Sequence, residues 1–141
     1  MKKTQRMNHL KHTLHAVLVL LFVVTLASCG GEDKVGTENM ISGPTSKTWV
    51  ADKELNAAGD KEKLSSAEKD QTMQFYADGR FAMGGGGSLQ TGTWTFDQAA
   101  KRISLQMEGS DMTESFEVTK LTEDKIHLKA PDGSVMQLET K

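Results

Sequence analysis

Met73-Gln74-Phe75-Tyr76-Ala77-Asp78-Gly79-Arg80-Phe81-Ala82-Met83 holds two runs of alternating apolar and polar residues on either side of an Asp-Gly pair. Alternation at period two marks a half-buried strand, and Asp-Gly between two such runs marks a hairpin turn. Two registers compete. A two-residue Asp-Gly turn sets Phe75 opposite Ala82. A three-residue loop, Ala77-Asp78-Gly79 with Gly79 at positive φ, sets Phe75 opposite Phe81 and Met73 opposite Met83. Only the second keeps every large apolar side chain on one face. A one-residue slip would send the whole apolar set to the wrong side, so burial selects the three-residue loop. The same design recurs at Pro131-Asp132-Gly133, where it pairs Leu128 with Met136 and Ile126 with Leu138.

Outward from these hairpins the period of two persists. Thr48 to Leu55 reads as a first strand with Trp49, Ala51 and Leu55 on one face. Residues 56–70 are polar and charged, a loop with one helical turn that Ser65 and Glu68 would cap. Gly84 to Gly87 and Ser88 read as a low-complexity loop, either a floppy tip or a lid over a barrel mouth. Gly92 to Phe96 is a strand with Trp94 and Phe96 inward, and Arg102 to Glu108 another with Ile103, Leu105 and Met107 inward. Met112 to Leu121 returns with Met112, Phe116 and Val118 inward. Leu121 breaks the parity, which predicts a bulge or strand end near it. Lys125 to Ala130 and Ser134 to Thr140 complete eight short strands joined mostly by hairpin turns. The fold class is therefore all-β: a small antiparallel up-and-down meander of eight strands, closed or half-open as a barrel, with its edges paired off by closure.

The amino-terminal region carries a different signal. Lys2, Lys3, Arg6 and Lys11 precede an apolar run from Ala16 to Ala27, and small residues stand directly before Cys29. This is the order of a secretory signal peptide. A helix of that run rises about 18 Å, too little to cross about 30 Å of hydrocarbon. Leu26-Ala27-Ser28-Cys29 resembles the lipobox of bacterial lipoproteins, in which the thiol receives a diacylglycerol and the new amino terminus is acylated. The resemblance implies cleavage before Cys29, so that residues 1–28 are the leader. Residues 29–46, with Gly at 30, 31, 36 and 43, read as a lipidated flexible tether, and residues 47–141 as the barrel domain. Gly30 stands where lipoproteins retained at the inner membrane typically carry aspartate, so the resemblance points to the outer membrane. Glu32 and Asp33 read either as a surface-export signal or as plain tether solubility.

Four of the 17 basic residues and none of the 19 acidic ones fall in the leader, so the mature chain carries a net charge of −6. That balance excludes nucleic acid and argues against an anionic lipid surface as a recognition target. Cys29 is the one cysteine, so no disulfide staples the domain. His9, His12 and His15 leave with the leader. His127, between inward Ile126 and Leu128, points to solvent and is read as a surface histidine. No ligand cluster for a metal remains, no cofactor motif is present, and the glycine run lacks the spacing of a phosphate cradle. No catalytic residues are identified, and the chain does not read as an enzyme.

Trp49 near the start of the first strand, Gly92-Thr93-Trp94, the phenylalanine hairpin from Phe75 to Phe81 and the corner Leu121-Thr122-Glu123-Asp124-Lys125-Ile126 together resemble the short lipocalin-like domains of bacterial lipoproteins. The likeness covers about residues 46–141. It implies a barrel and a ligand cavity without naming a ligand. One departure is Lys47, which stands where lipocalins carry the glycine of a Gly-x-Trp motif. Two functions stay open. The first is a membrane-anchored envelope protein binding a small apolar ligand at the barrel mouth, with Trp94, Phe81 and Met83 as contacts beside the glycine run. The second is a partner-binding envelope lipoprotein, inhibitor-like or assembly-accessory, whose barrel core is filled by its own side chains.

Overall fold

The structure, a computed structural model, describes residues 35–141. The leader and Cys29 lie outside the described residues. Nine strands and two short helices follow in order: α1 (Glu38–Ser42), β1 (Ser46–Leu55), β2 (Lys61–Glu62), α2 (Ser66–Asp70), β3 (Thr72–Tyr76), β4 (Arg80–Gly85), β5 (Ser88–Asp97), β6 (Arg102–Met107), β7 (Thr113–Leu121), β8 (Lys125–Lys129) and β9 (Val135–Thr140). Every neighbouring pair from β3 to β9 is antiparallel. β1 closes the sheet by pairing with β3 through residues 46–50 and with β9 through residues 49–55. Eight strands thus form a closed barrel, with β2 a two-residue addition to the end of β1.

Both Asp-Gly hairpins adopt the register that burial demands. Phe75 faces Phe81 and Met73 faces Met83; Leu128 faces Met136 and Ile126 faces Leu138. Gly79 and Gly133 sit at φ +91° and +92°, and each preceding aspartate accepts from the backbone N–H two residues on, Asp78 from Arg80 at 3.1 Å and Asp132 from Ser134 at 2.9 Å. The expected bulge lies at Thr119, between the pairs Val118–Leu128 and Lys120–His127; it returns Leu121 to the inner face opposite Ile126. The helical turn is α2, and its capping box is complete: the Ser65 hydroxyl accepts from Glu68 N–H, and the Glu68 carboxylate accepts from Ser65 N–H at 2.6 Å.

Four expectations need correction. The tether does not run to Ser46, because residues 35–45 belong to the barrel unit: α1 buries Ile41 and Ser42, and Val35 packs on the core. The first strand is not uniform, because a second bulge at Asp52 reverses its parity. Leu55 therefore pairs with Val135 on the outer wall, and Glu54 opposes inward Met136. The glycine run is not an open loop. Gly84 and Gly85 are the end of β4, and Gly86-Gly87, at φ +61° and +89°, make a two-residue turn into β5, which starts at Ser88 rather than Gly92. Gly85 is also fixed, at φ +149°, where a Cβ would stand 2.8 Å from the Asp70 carbonyl oxygen. Finally, Met112 lies outside the core, 63% exposed on the β6–β7 turn.

Candidate functional site

The barrel has two unlike ends. At one, where β1 begins and β3 finishes, α1 lies over the opening as a plug. Ile41 is fully buried, and the Trp49 indole N–H donates to its carbonyl oxygen at 2.9 Å. Lys47 explains its own departure from the glycine pattern. Its ammonium donates to the Met40 carbonyl at 2.7 Å and to the Glu123 carbonyl at 3.0 Å, pairs with the Glu123 carboxylate at 3.2 Å, and lies 5.3 Å from the Trp49 ring centre. It ties the plug, the first strand and the β7–β8 corner into one cluster. The Gln98 amide adds a bond to the Val35 carbonyl at 3.2 Å.

Beyond the plug the interior is occupied by side chains. Trp49, Phe75, Ile103, Val118 and Ile126 are completely buried, with Phe81, Leu105, Leu128, Trp94 and Leu138 nearly so. Trp94 meets Phe75 edge-on at 5.3 Å and donates its indole N–H to the Tyr76 carbonyl at 2.9 Å. Of the three residues expected at a ligand mouth, Trp94 and Phe81 are thus core residues whose polar and apolar contacts are already made. Met83, half-buried and paired with Met73, lies further toward the other end. The structure does not gather the three beside the glycine turn. Trp94 stands seven residues along β5 from Gly87, about 23 Å of extended strand.

That other end is apolar but looser. Met83, Met107 and Met136 face inward half-buried, beside Met73, with α2 and buried Leu64 over part of the opening. The Asp52 bulge turns Glu54 toward this end. Its carboxyl is held above the usual carboxylate range by burial, and by repulsion from Glu68, Glu62 and Asp132. Among the described residues, no three His, Cys, Asp or Glu side chains converge where a metal ion would sit. His127 lies on the outer wall opposite Lys120 and Gln137, its pKa lowered by partial burial and by Lys120 and Lys125.

Sequence reasoning missed a concavity on the outer wall. The outward residues of β4, β5 and β6, namely Arg80, Ala82, Thr91, Thr93 and Gln106, floor a groove of about 710 Å³ between Tyr76 and the Glu108–Ser110 turn. Gly92 makes it. β5 passes so close to β6 there that a Cβ would collide with the Gln106 carbonyl and lie 2.7 Å from the Phe81 ring. One wall is set by Arg80, which pairs with Asp78 at 2.8 Å and lies 5.2 Å from the Tyr76 ring centre. The other is set by Thr91, whose hydroxyl donates to the Glu108 carboxylate at 2.6 Å. The available signal was the glycine inside Thr91-Gly92-Thr93, since an interior strand glycine marks a bend or a close backbone approach.

No family model matches the sequence, and no curated protein matches it. Solved structures do. A lipocalin-like protein from Bacteroides uniformis superposes with a TM-score of 0.56 at 16% identity, over 67% of this chain and 96% of that one. An uncharacterized protein from Bacteroides eggerthii gives 0.56 at 13% identity over 67% and 98%, and a protein from Burkholderia xenovorans 0.50 at 13% over 82% and 94%. At such identities the likeness speaks for the fold, which is a lipocalin-like barrel.

Proposed function

We propose that the protein is a lipid-anchored lipoprotein of the bacterial envelope, most simply of the outer membrane, whose lipocalin-like barrel is a filled scaffold acting by binding a partner rather than by catalysis. The leader and the Leu-Ala-Ser-Cys sequence support the anchor at Cys29. The observation that carries the filled-scaffold reading is the interior itself: it is plugged by Ile41 and packed from Trp49 to Leu138, while a wide groove lies outside, over Gly92. An envelope protein that inserts a loop against Tyr76, Thr93 and Gln106 fits that groove. Native mass spectrometry of the purified protein should then give a clean protein mass, and fatty-acid probes should leave tryptophan emission unaltered at high micromolar concentration. A co-purifying lipid or a saturable quench overturns the filled reading.

The methionine-lined end favours a second reading, a small apolar ligand seated at Met83, Met107 and Met136, because methionine side chains adapt to varied apolar shapes. In that case quenching of tryptophan emission should saturate as the probe fills the methionine-lined end, since Trp49 pairs with Met73 beside Met83.

A further inference from the structure

We infer that the anchored protein stands with its plugged end toward the membrane and its methionine-lined end away from it. This rests on the lipid-anchor reading of Cys29, and two independent observations carry it beyond that reading. The first is where the chain leaves the barrel. Val35 is held at the plugged end by the Gln98 amide, and Gly36 lies against Leu121 and Met40. A tether that ran to Ser46 would let the barrel tumble freely. With residues 35–45 packed, only six peptide links join Cys29 to Val35, a reach of at most about 20 Å. The turns beside Val35, residues 97–102 and 120–125, are therefore kept within about 20 Å of the lipid headgroups. The opposite turns lie further out by the height of the barrel, about 15–20 Å for tilted strands of six residues.

The second observation is charge. At the methionine-lined end, residues 52–70, 108–114 and 129–134 hold ten acidic and five basic side chains. At the plugged end, residues 35–48, 76–80, 97–102, 120–125 and 139–141 hold six acidic and seven basic. Burial raises the Glu54 carboxyl above the usual range, and repulsion from Glu68, Glu62 and Asp132 at this end adds to the rise. An anionic lipid surface repels the first end and tolerates the second, so electrostatics and chain connection favour one orientation. The consequence is functional: a ligand or partner reaches the methionine-lined end from the aqueous side, unobstructed by the bilayer.

Asp124→Cys and Asp111→Cys, both exposed and at opposite ends, test this in the full-length protein anchored in vesicles containing anionic lipid. Each is labelled with a fluorophore, and a quencher is placed on the lipid headgroups. The label at 124 should be quenched several-fold more than the label at 111. Equal quenching, or stronger quenching at 111, overturns the orientation while leaving the anchor intact. The anchor is read separately, from the mass of the amino-terminal peptide. An unacylated Cys29 overturns the anchor reading, and the orientation with it.

Discussion

Trp49 shows how much one side chain holds at the plugged end. Its ring is fully buried and its N–H satisfies the Ile41 carbonyl, so Trp49→Phe keeps most of the apolar area but leaves a buried acceptor unpaired. Such an orphan costs about 1–3 kcal/mol, and at about 4–8 °C per kcal/mol in a domain of this size the melting temperature should fall by at least about 4 °C. Glycines 84 and 92 separate two meanings of the same residue. Gly92→Ala drives a Cβ into the Gln106 carbonyl and should cost about 1–3 kcal/mol. At Gly84 the Cβ makes ordinary contacts, with the flexible Leu89 side chain at 3.4 Å and the Ser88 carbonyl oxygen at 3.5 Å, and φ is ordinary, so Gly84→Ala should be neutral or stabilising by up to about 1 kcal/mol. Chemical denaturation of the pair reads the difference directly, and similar values for both would refute the close-approach account.

Glu54 adds a pH dependence at the same scale. Because its pKa is raised in the folded protein, the folded state binds the extra proton more readily than the unfolded chain does. The stability this residue allows is fully present below the ordinary carboxylate pKa and is lost as pH rises through the folded value. Glu54→Gln should therefore raise stability at pH 7, by about 0.5 kcal/mol or less since the group is largely solvent-screened, and should make no difference near pH 3. Melting curves at the two pH values check both the sign and its disappearance.

At the scale of elements, α1 is the piece that decides whether the barrel is plugged. Five residues with no side-chain cap do not make a stable helix alone; the buried Ile41 side chain holds it in place. Ile41→Ala should cost about 2–5 kcal/mol, and it should also expose Trp49, shifting its emission to the red. A variant that loses less than about 1 kcal/mol with unchanged emission would mean that the plug is not part of the core. Nothing in Asn39-Met40-Ile41-Ser42, flanked by glycines and a proline, announces this at the level of pattern, since one apolar pair has no period. The hairpins were legible because their determinants are local: an Asp that bonds its own turn, a Gly at positive φ, and facing phenylalanines. The bulge at Thr119 was legible because Leu121 broke parity visibly. The one at Asp52 was hidden by Leu55, which completes an apparently regular alternation while pointing outward. The outer groove was signalled only by Gly92, for a related reason. It depends on how closely β5 crosses β6, a distance between strands that alternation within one strand does not encode.

Closure belongs to the whole molecule, because it joins residues 49–55 to residues 135–140 across nearly the whole described chain. Such contacts carry a large loop-closure entropy before they return any burial, so they form late and hold only when the intervening strands are in place. β9 gives the barrel Met136 and buried Leu138, worth about 1.5–3 kcal/mol each, together with ladders on both its edges. Those losses together are comparable with the entire stability of a small domain, about 5–15 kcal/mol. A chain ending at Gly133 would also leave β8 and the second half of β1 as open edges, with Ile126 and Leu128 uncovered between them. It should show no cooperative thermal transition by circular dichroism and should associate in sedimentation, as unpaired edges do. A monomer that still melts sigmoidally within a few degrees of the full-length protein would mean that the sheet is stable open, and that the seam between β1 and β9 contributes shape rather than stability.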